Sequence, residues 1–171
     1  MKEKRVFIYL VIVWFTLLGI YIYIEKTGIK IFETKEKVQK IGITEAQSKI
    51  DALLLNQPIT FPDNVSSFDH NKSYTTQNQQ TLSRVVSLLK RVDSNIFIEI
   101  ASHTDLDGTN SENRILSQKR ADTILTFIKK NYPLSSMNAI GYGEEFPLDK
   151  AKNATNNRRI EITLQSLIPK I

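Results

Sequence analysis

The chain has 171 residues, with 23 Lys and Arg against 18 Asp and Glu for a net charge of +5, and no cysteine. That length holds one ordinary domain plus an appendage, and the missing cysteines exclude disulfides, thiolate metal sites, thiol nucleophiles and a lipid-modified N-terminal cysteine. The positive excess is spread along both halves without a basic stripe interleaved with aromatics, so nucleic acid is not an expected partner.

Residues 1–5 are basic, and residues 6–24 then run almost unbroken in Val, Ile, Leu, Phe, Tyr and Trp, with Thr16 the clearly polar exception. At about 1.5 Å per residue this run matches a hydrocarbon core of roughly 30 Å, so it is expected to be a transmembrane helix. It ends Tyr21-Ile22-Tyr23-Ile24-Glu25-Lys26, without the small-residue site of a cleaved signal peptide, so the anchor is expected to stay attached. Lys2, Lys4 and Arg5 outweigh Lys26. The positive-inside rule therefore keeps the N-terminus in the cytoplasm and predicts a single-pass inner-membrane protein whose C-terminal part is periplasmic. No ionisable residue interrupts the run, which argues against an ion path.

Residues 25–57 read as a periplasmic tether with a short helix. Thr44 and Gln47 have capping-box spacing, Ala46, Ile50, Leu53 and Leu54 follow at helical spacing, and Pro58 stops the helix. A short strand is expected over Ile59 to Phe61, then a polar loop through Asp63, Asn64 and Ser66. Thr76 and Gln79 form a second capping-box pattern before a stripe of Leu82, Val85, Val86 and Leu89. Ile96 to Ala101 alternates as a strand and leads into an acidic loop, Ser102-His103-Thr104-Asp105-Leu106-Asp107-Gly108. A helix then runs from about Asn110 to Asn131. Pro133 separates it from a strand near Met137 to Tyr142. In the last strand Ile160, Ile162 and Leu164 alternate with Glu161, Thr163 and Gln165. Strands separated by helices predict an α/β (α+β) sandwich of βαβαββ type over residues 58–165, with helices on one face of a mixed sheet and a tail at 166–171.

The odd residue is Arg120. On a helical wheel at about 100° per residue, Leu116, Phe127, Ile124, Ile128, Ala121 and Leu125 share one half, and Arg120 lies among them with Asn113 nearly on its line. An inward guanidinium is costly unless paired, and Asp105 is the nearest acid in sequence. The pair reads either as a structural salt bridge or as a site for a ligand that carries both an ammonium and a carboxylate.

Other constellations fail on spacing. The Asp105 to Leu116 stretch lacks the EF-hand glycine and terminal glutamate. Two histidines cannot build a zinc site, and His103 near Asp105 has no serine elbow beside it. No catalytic residue, metal ligand or cofactor is expected.

Several segments resemble, in order and in spacing, the OmpA-like peptidoglycan-binding domain shared by OmpA C-terminal domains, peptidoglycan-associated lipoproteins and flagellar stator B subunits. They are Phe61 with Asn64 and Ser66; His103-Thr104-Asp105 with Gly108; Asn113, Leu116-Ser117 and Arg120-Ala121; Gly141-Tyr142-Gly143-Glu144 with Pro147; and Asn157-Arg158-Arg159 with Glu161. The resemblance implies non-covalent binding of the cell-wall stem peptide through its diaminopimelate residue. The aspartate matching Asp105 and the arginine matching Arg120 would hold that residue's ammonium and carboxylate, and positions matching Asn64, Leu106, Asn113 and Arg158 would line the pocket. Ser102 departs from the family's usual glycine. The expected partners are peptidoglycan and the membrane, with a homodimer mate or a membrane-protein partner left open. The expected role is a clamp between inner membrane and wall, and the alternative is an accessory subunit of a larger motor- or secretion-type envelope complex.

Overall fold

The computed structural model describes residues 13–16, 18, 39–68, 72–92, 95–133, 136–151 and 153–167. The chain divides into two units, Met1–Val38 and Gln39–Ile171. In the first, residues 13–16 and 18 are helical. Among the described residues no helix is long and apolar enough to cross a membrane. The segments expected at 1–5, 6–24 and 25–38 otherwise lie outside the described residues, as does most of the 166–171 tail.

The second unit contains α1 (Ile43–Asn56), α2 (Lys72–Leu89), β1 (Ile96–His103), α3 (Asn110–Asn131), β2 (Met137–Gly143), a 3-10 turn (Thr155–Asn157) and β3 (Ile160–Ser166). The strands lie in the order β2-β1-β3, with β1 parallel to β2 and antiparallel to β3. A parallel neighbour requires a crossover, which α3 supplies. Ile96, Ile98 and Ile100 of β1, with Ile160, Ile162 and Leu164 of β3, are buried. Glu161, Thr163 and Gln165 are exposed on the opposite face, so the expected period-2 pattern of the last strand is what the sheet uses.

Three glutamine or asparagine side chains complete this framework in a way that the apolar pattern does not reveal. Gln118 of α3 donates to the Ala139 carbonyl at 3.0 Å and accepts from the Gly141 amide at 2.8 Å, closing the free edge of β2. Gln47 of α1 treats β3 the same way, donating to Ile162 O at 2.9 Å and accepting from Leu164 N at 2.7 Å. Each amide stands in for a neighbouring strand and blunts an edge that would otherwise invite pairing. Gln47 therefore does not cap α1. That helix starts at Gly42 with no side-chain cap, and it buries Ala46 and Ile50 in the common core, so it belongs to the folded unit and not to the tether.

Ile59 to Phe61 is not a strand. The fully buried Asn78 of α2 takes both backbone groups of Thr60, accepting from its amide at 3.1 Å and donating to its carbonyl at 2.7 Å, so no ladder is needed there. The observed sheet has three strands where the βαβαββ pattern called for a fourth. Thr76 and Gln79 lie inside α2, which begins earlier, at Lys72. The cap that does form belongs to α3: Thr109 and Glu112 bond reciprocally as a capping box.

Gly141 explains its place in the Gly-Tyr-Gly-Glu turn by close packing. A Cβ on it would sit 2.1 Å from the backbone nitrogen of Gln118, so only glycine lets α3 lie directly on β2.

Candidate functional site

Arg120 does face inward, at 5% exposure on a helix face shared with Asn113, Ser117, Ala121, Ile124 and Ile128. Its partners are different from the one expected. Nε donates to the Val65 carbonyl and Nη2 to the Pro62 carbonyl, both at 2.9 Å, and the guanidinium carbon lies 5.3 Å from the centre of the Phe61 ring. Phe61 in turn stacks on Phe68. Thr123, one turn on, donates to Ser66 O at 2.7 Å. Helix α3 thus holds the 62–66 loop through main-chain acceptors. Asn64 in that loop has φ of 55°, a left-handed conformation that asparagine tolerates better than most residues. Burial first, and then the neighbouring Arg158, pull the Arg120 pKa down to about 10, with Asp63 and Asp105 opposing, so the group stays charged at neutral pH.

Asp105 lies instead against Arg158, Oδ2 to Nε at 3.6 Å, and Arg158 also reaches Asp63 with Nη1 at 2.8 Å. The salt bridge drawn from the sequence between Asp105 and Arg120 is therefore not formed. The reason is topological: β3 follows β1 in the sheet, so the residues entering β3 arrive beside the end of β1 and put Arg158 nearer the acid.

Asn113 fixes the acidic loop. Its amide nitrogen donates to Asp107 O at 2.9 Å and to Glu144 Oε2 at 2.6 Å, with Asp105 O at 3.5 Å, tying the loop after β1 to the turn after β2. Together Asn64, Asp105, Asn113, Arg120 and Arg158 line a cleft of about 460 Å³, with Asp63 at its rim. Leu106 is half-buried and is not among the cleft's lining residues. Asp63 was missed from the sequence because nothing in a short polar loop marks one acid over another. The Pro62 and Val65 carbonyls carry no sequence signal at all.

The cleft brings acid and guanidinium groups together, Asp105 beside Arg158 with Arg120 in the same lining. The profile of the OmpA family matches residues 67–161. The chain belongs to the OmpA family. Its OmpA-family relatives include an outer membrane porin F of Pseudomonas fluorescens, 39% identical over 75 residues that make up 40% of this chain and 22% of that one. A peptidoglycan-associated lipoprotein of Buchnera aphidicola subsp. Baizongia pistaciae is 26% identical over 137 residues, 78% of this chain and 75% of the relative. The chain thus spans about a fifth of the porin's length. Among solved structures, a putative MotB like protein from Desulfovibrio vulgaris shares the fold, with a TM-score of 0.52 at 16% identity over 72% of this chain and 93% of that one.

His103, two residues before Asp105, is a buried neutral ring. It stacks on Tyr142 at 5.4 Å, and burial, with Arg159 adding to it against the opposing pull of Glu161, lowers its pKa to about 4. Glu161 is 3.7 Å from its Nε2, and no hydroxyl nucleophile is bonded to it.

Proposed function

We propose that this protein binds peptidoglycan non-covalently through the zwitterionic end of the diamino acid in its stem peptide, and so ties the cell wall to the inner membrane. Membership of the OmpA family and the relative named peptidoglycan-associated lipoprotein support the wall as partner. One observation carries the mechanism: the Asp105–Arg158 pair is long, at 3.6 Å, and faces a cleft backed by Arg120. An ammonium entering beside Asp105 and a carboxylate entering beside Arg158 and Arg120 exchange one long ion pair for two short ones, and a planar guanidinium suits a carboxylate because it can donate in parallel. Groups with only one of the two charges leave half of the cleft unanswered, so the zwitterion is selected. No bond is made or broken in this mechanism.

The apolar run at 6–24 is the proposed membrane anchor. With α1 docked in the domain, residues 25–38 are the tether, whose contour at 3.3–3.6 Å per residue is roughly 50 Å. The test is retention of residues 39–171 on isolated sacculi, with free diaminopimelate as competitor. Wild type should sediment and be released by the competitor, while Asp105→Ala should stay in solution. Undiminished retention of Asp105→Ala, or indifference to the competitor, would refute the site.

A further inference from the structure

A second cleft of about 510 Å³ adjoins the first and shares Asp63, Arg120 and Arg158 with it. Its floor is apolar, made by Ile59, Phe61 and Ile160, and its far wall carries Arg159, Ser102 and His103. Three guanidinium groups thus face it against one acid in its lining, Asp63, which Arg158 already holds. Arg159 is bonded through Nε to Glu161 and through Nη1 to Phe146 O. The Ser102 hydroxyl and both ring nitrogens of His103 are buried on this wall and have no hydrogen-bond partner among the described residues. Buried polar groups are ordinarily satisfied, so the Ser102 hydroxyl and the single N–H of the neutral His103 ring, neither of them hydrogen-bonded and both beside three guanidinium groups, point to an anionic oxygen supplied from outside.

We infer that this second cleft is a subsite for a further carboxylate of the same peptide, borne on a short apolar residue adjoining the diamino acid. The inference rests on the diamino acid occupying the first cleft. The shared wall explains why the two subsites act together: Arg120 and Arg158 face both, so a ligand that bridges them is held by the same cations from two sides. The apolar floor takes a small aliphatic side chain, and the charge at the rim takes the terminal carboxylate.

The experiment is calorimetric titration of the full chain in detergent with three probes: diaminopimelate alone, a stem tetrapeptide ending in alanine, and the same tetrapeptide with its C-terminal carboxylate amidated. The free-acid tetrapeptide should bind about tenfold tighter than the amide. Arg159→Gln and, independently, Ser102→Ala should shrink that ratio toward one while leaving diaminopimelate binding as in wild type. Equal affinities of acid and amide for the wild type, with diaminopimelate still bound, would overturn the subsite alone. Failure of all three probes to bind would overturn the first cleft and the subsite with it. An unchanged ratio in both variants would place the carboxylate elsewhere and also refute the assignment.

Discussion

Asp105 is held by Arg158, with Oδ2 3.6 Å from Nε, while Arg120, the inward-facing base on the neighbouring helix, donates to the carbonyls of Pro62 and Val65. The two arginines therefore have different duties. Arg158 bridges two acids, Asp105 at 3.6 Å and Asp63 at 2.8 Å, with 37% of its side chain exposed. Arg120 builds the cleft wall while lending it charge.

The first prediction separates those duties. Arg158→Ala should abolish sacculus retention with little change in the urea midpoint. Arg120→Lys keeps a charge but cannot span both carbonyls, so it should cost about 1–3 kcal/mol of stability as well as binding. An unchanged midpoint in Arg120→Lys would show that the two carbonyl bonds contribute nothing.

Asn78 is expected to act on the cleft from a distance. Replacing it with alanine leaves both backbone groups of Thr60 without their partner and should cost about 2–4 kcal/mol. It should also loosen the segment carrying Phe61 and Pro62, the ring and carbonyl against which Arg120 is set. Hydrogen exchange of the Thr60 amide is the direct measurement, with faster exchange expected in Asn78→Ala.

Gly141→Ala should not fold. The added carbon would meet the α3 backbone at 2.1 Å, with no flexible side chain able to move aside, so the loss should be at least about 4 kcal/mol. Gln118→Ala removes two edge bonds without a clash and should cost about 1–3 kcal/mol. Circular dichroism of the two variants tells these cases apart, and a native melt for Gly141→Ala would contradict the packing.

His103 gives the domain a defined acid sensitivity. Its folded pKa of about 4 lies below the ordinary 6.5, so the unfolded chain takes up a proton in this interval that the folded chain refuses. The contribution is full above pH 6.5 and is lost as pH falls toward 4. Between pH 7 and pH 4.5 this should lower stability by about 2–3 kcal/mol. His103→Phe, which can keep the stack on Tyr142, should flatten that part of the urea-midpoint profile relative to wild type.

The sequence by itself determined the helical face that buries Arg120 with Asn113 on its line, the alternation of β3, and the extent of α3 and β2. These were legible because hydrophobic period and charge placement are properties of the side chains along one element. Two capping patterns misled for the same local reason. Thr44 with Gln47 and Thr76 with Gln79 have the right spacing, yet Gln47 is used by β3, 115 residues away, and α2 starts before Thr76. What only the tertiary structure decided is who pairs with whom. Arg120 found main-chain carbonyls, which every residue possesses and no sequence marks, and Asp105 found Arg158 because the sheet order brings the entrance of β3 beside the end of β1.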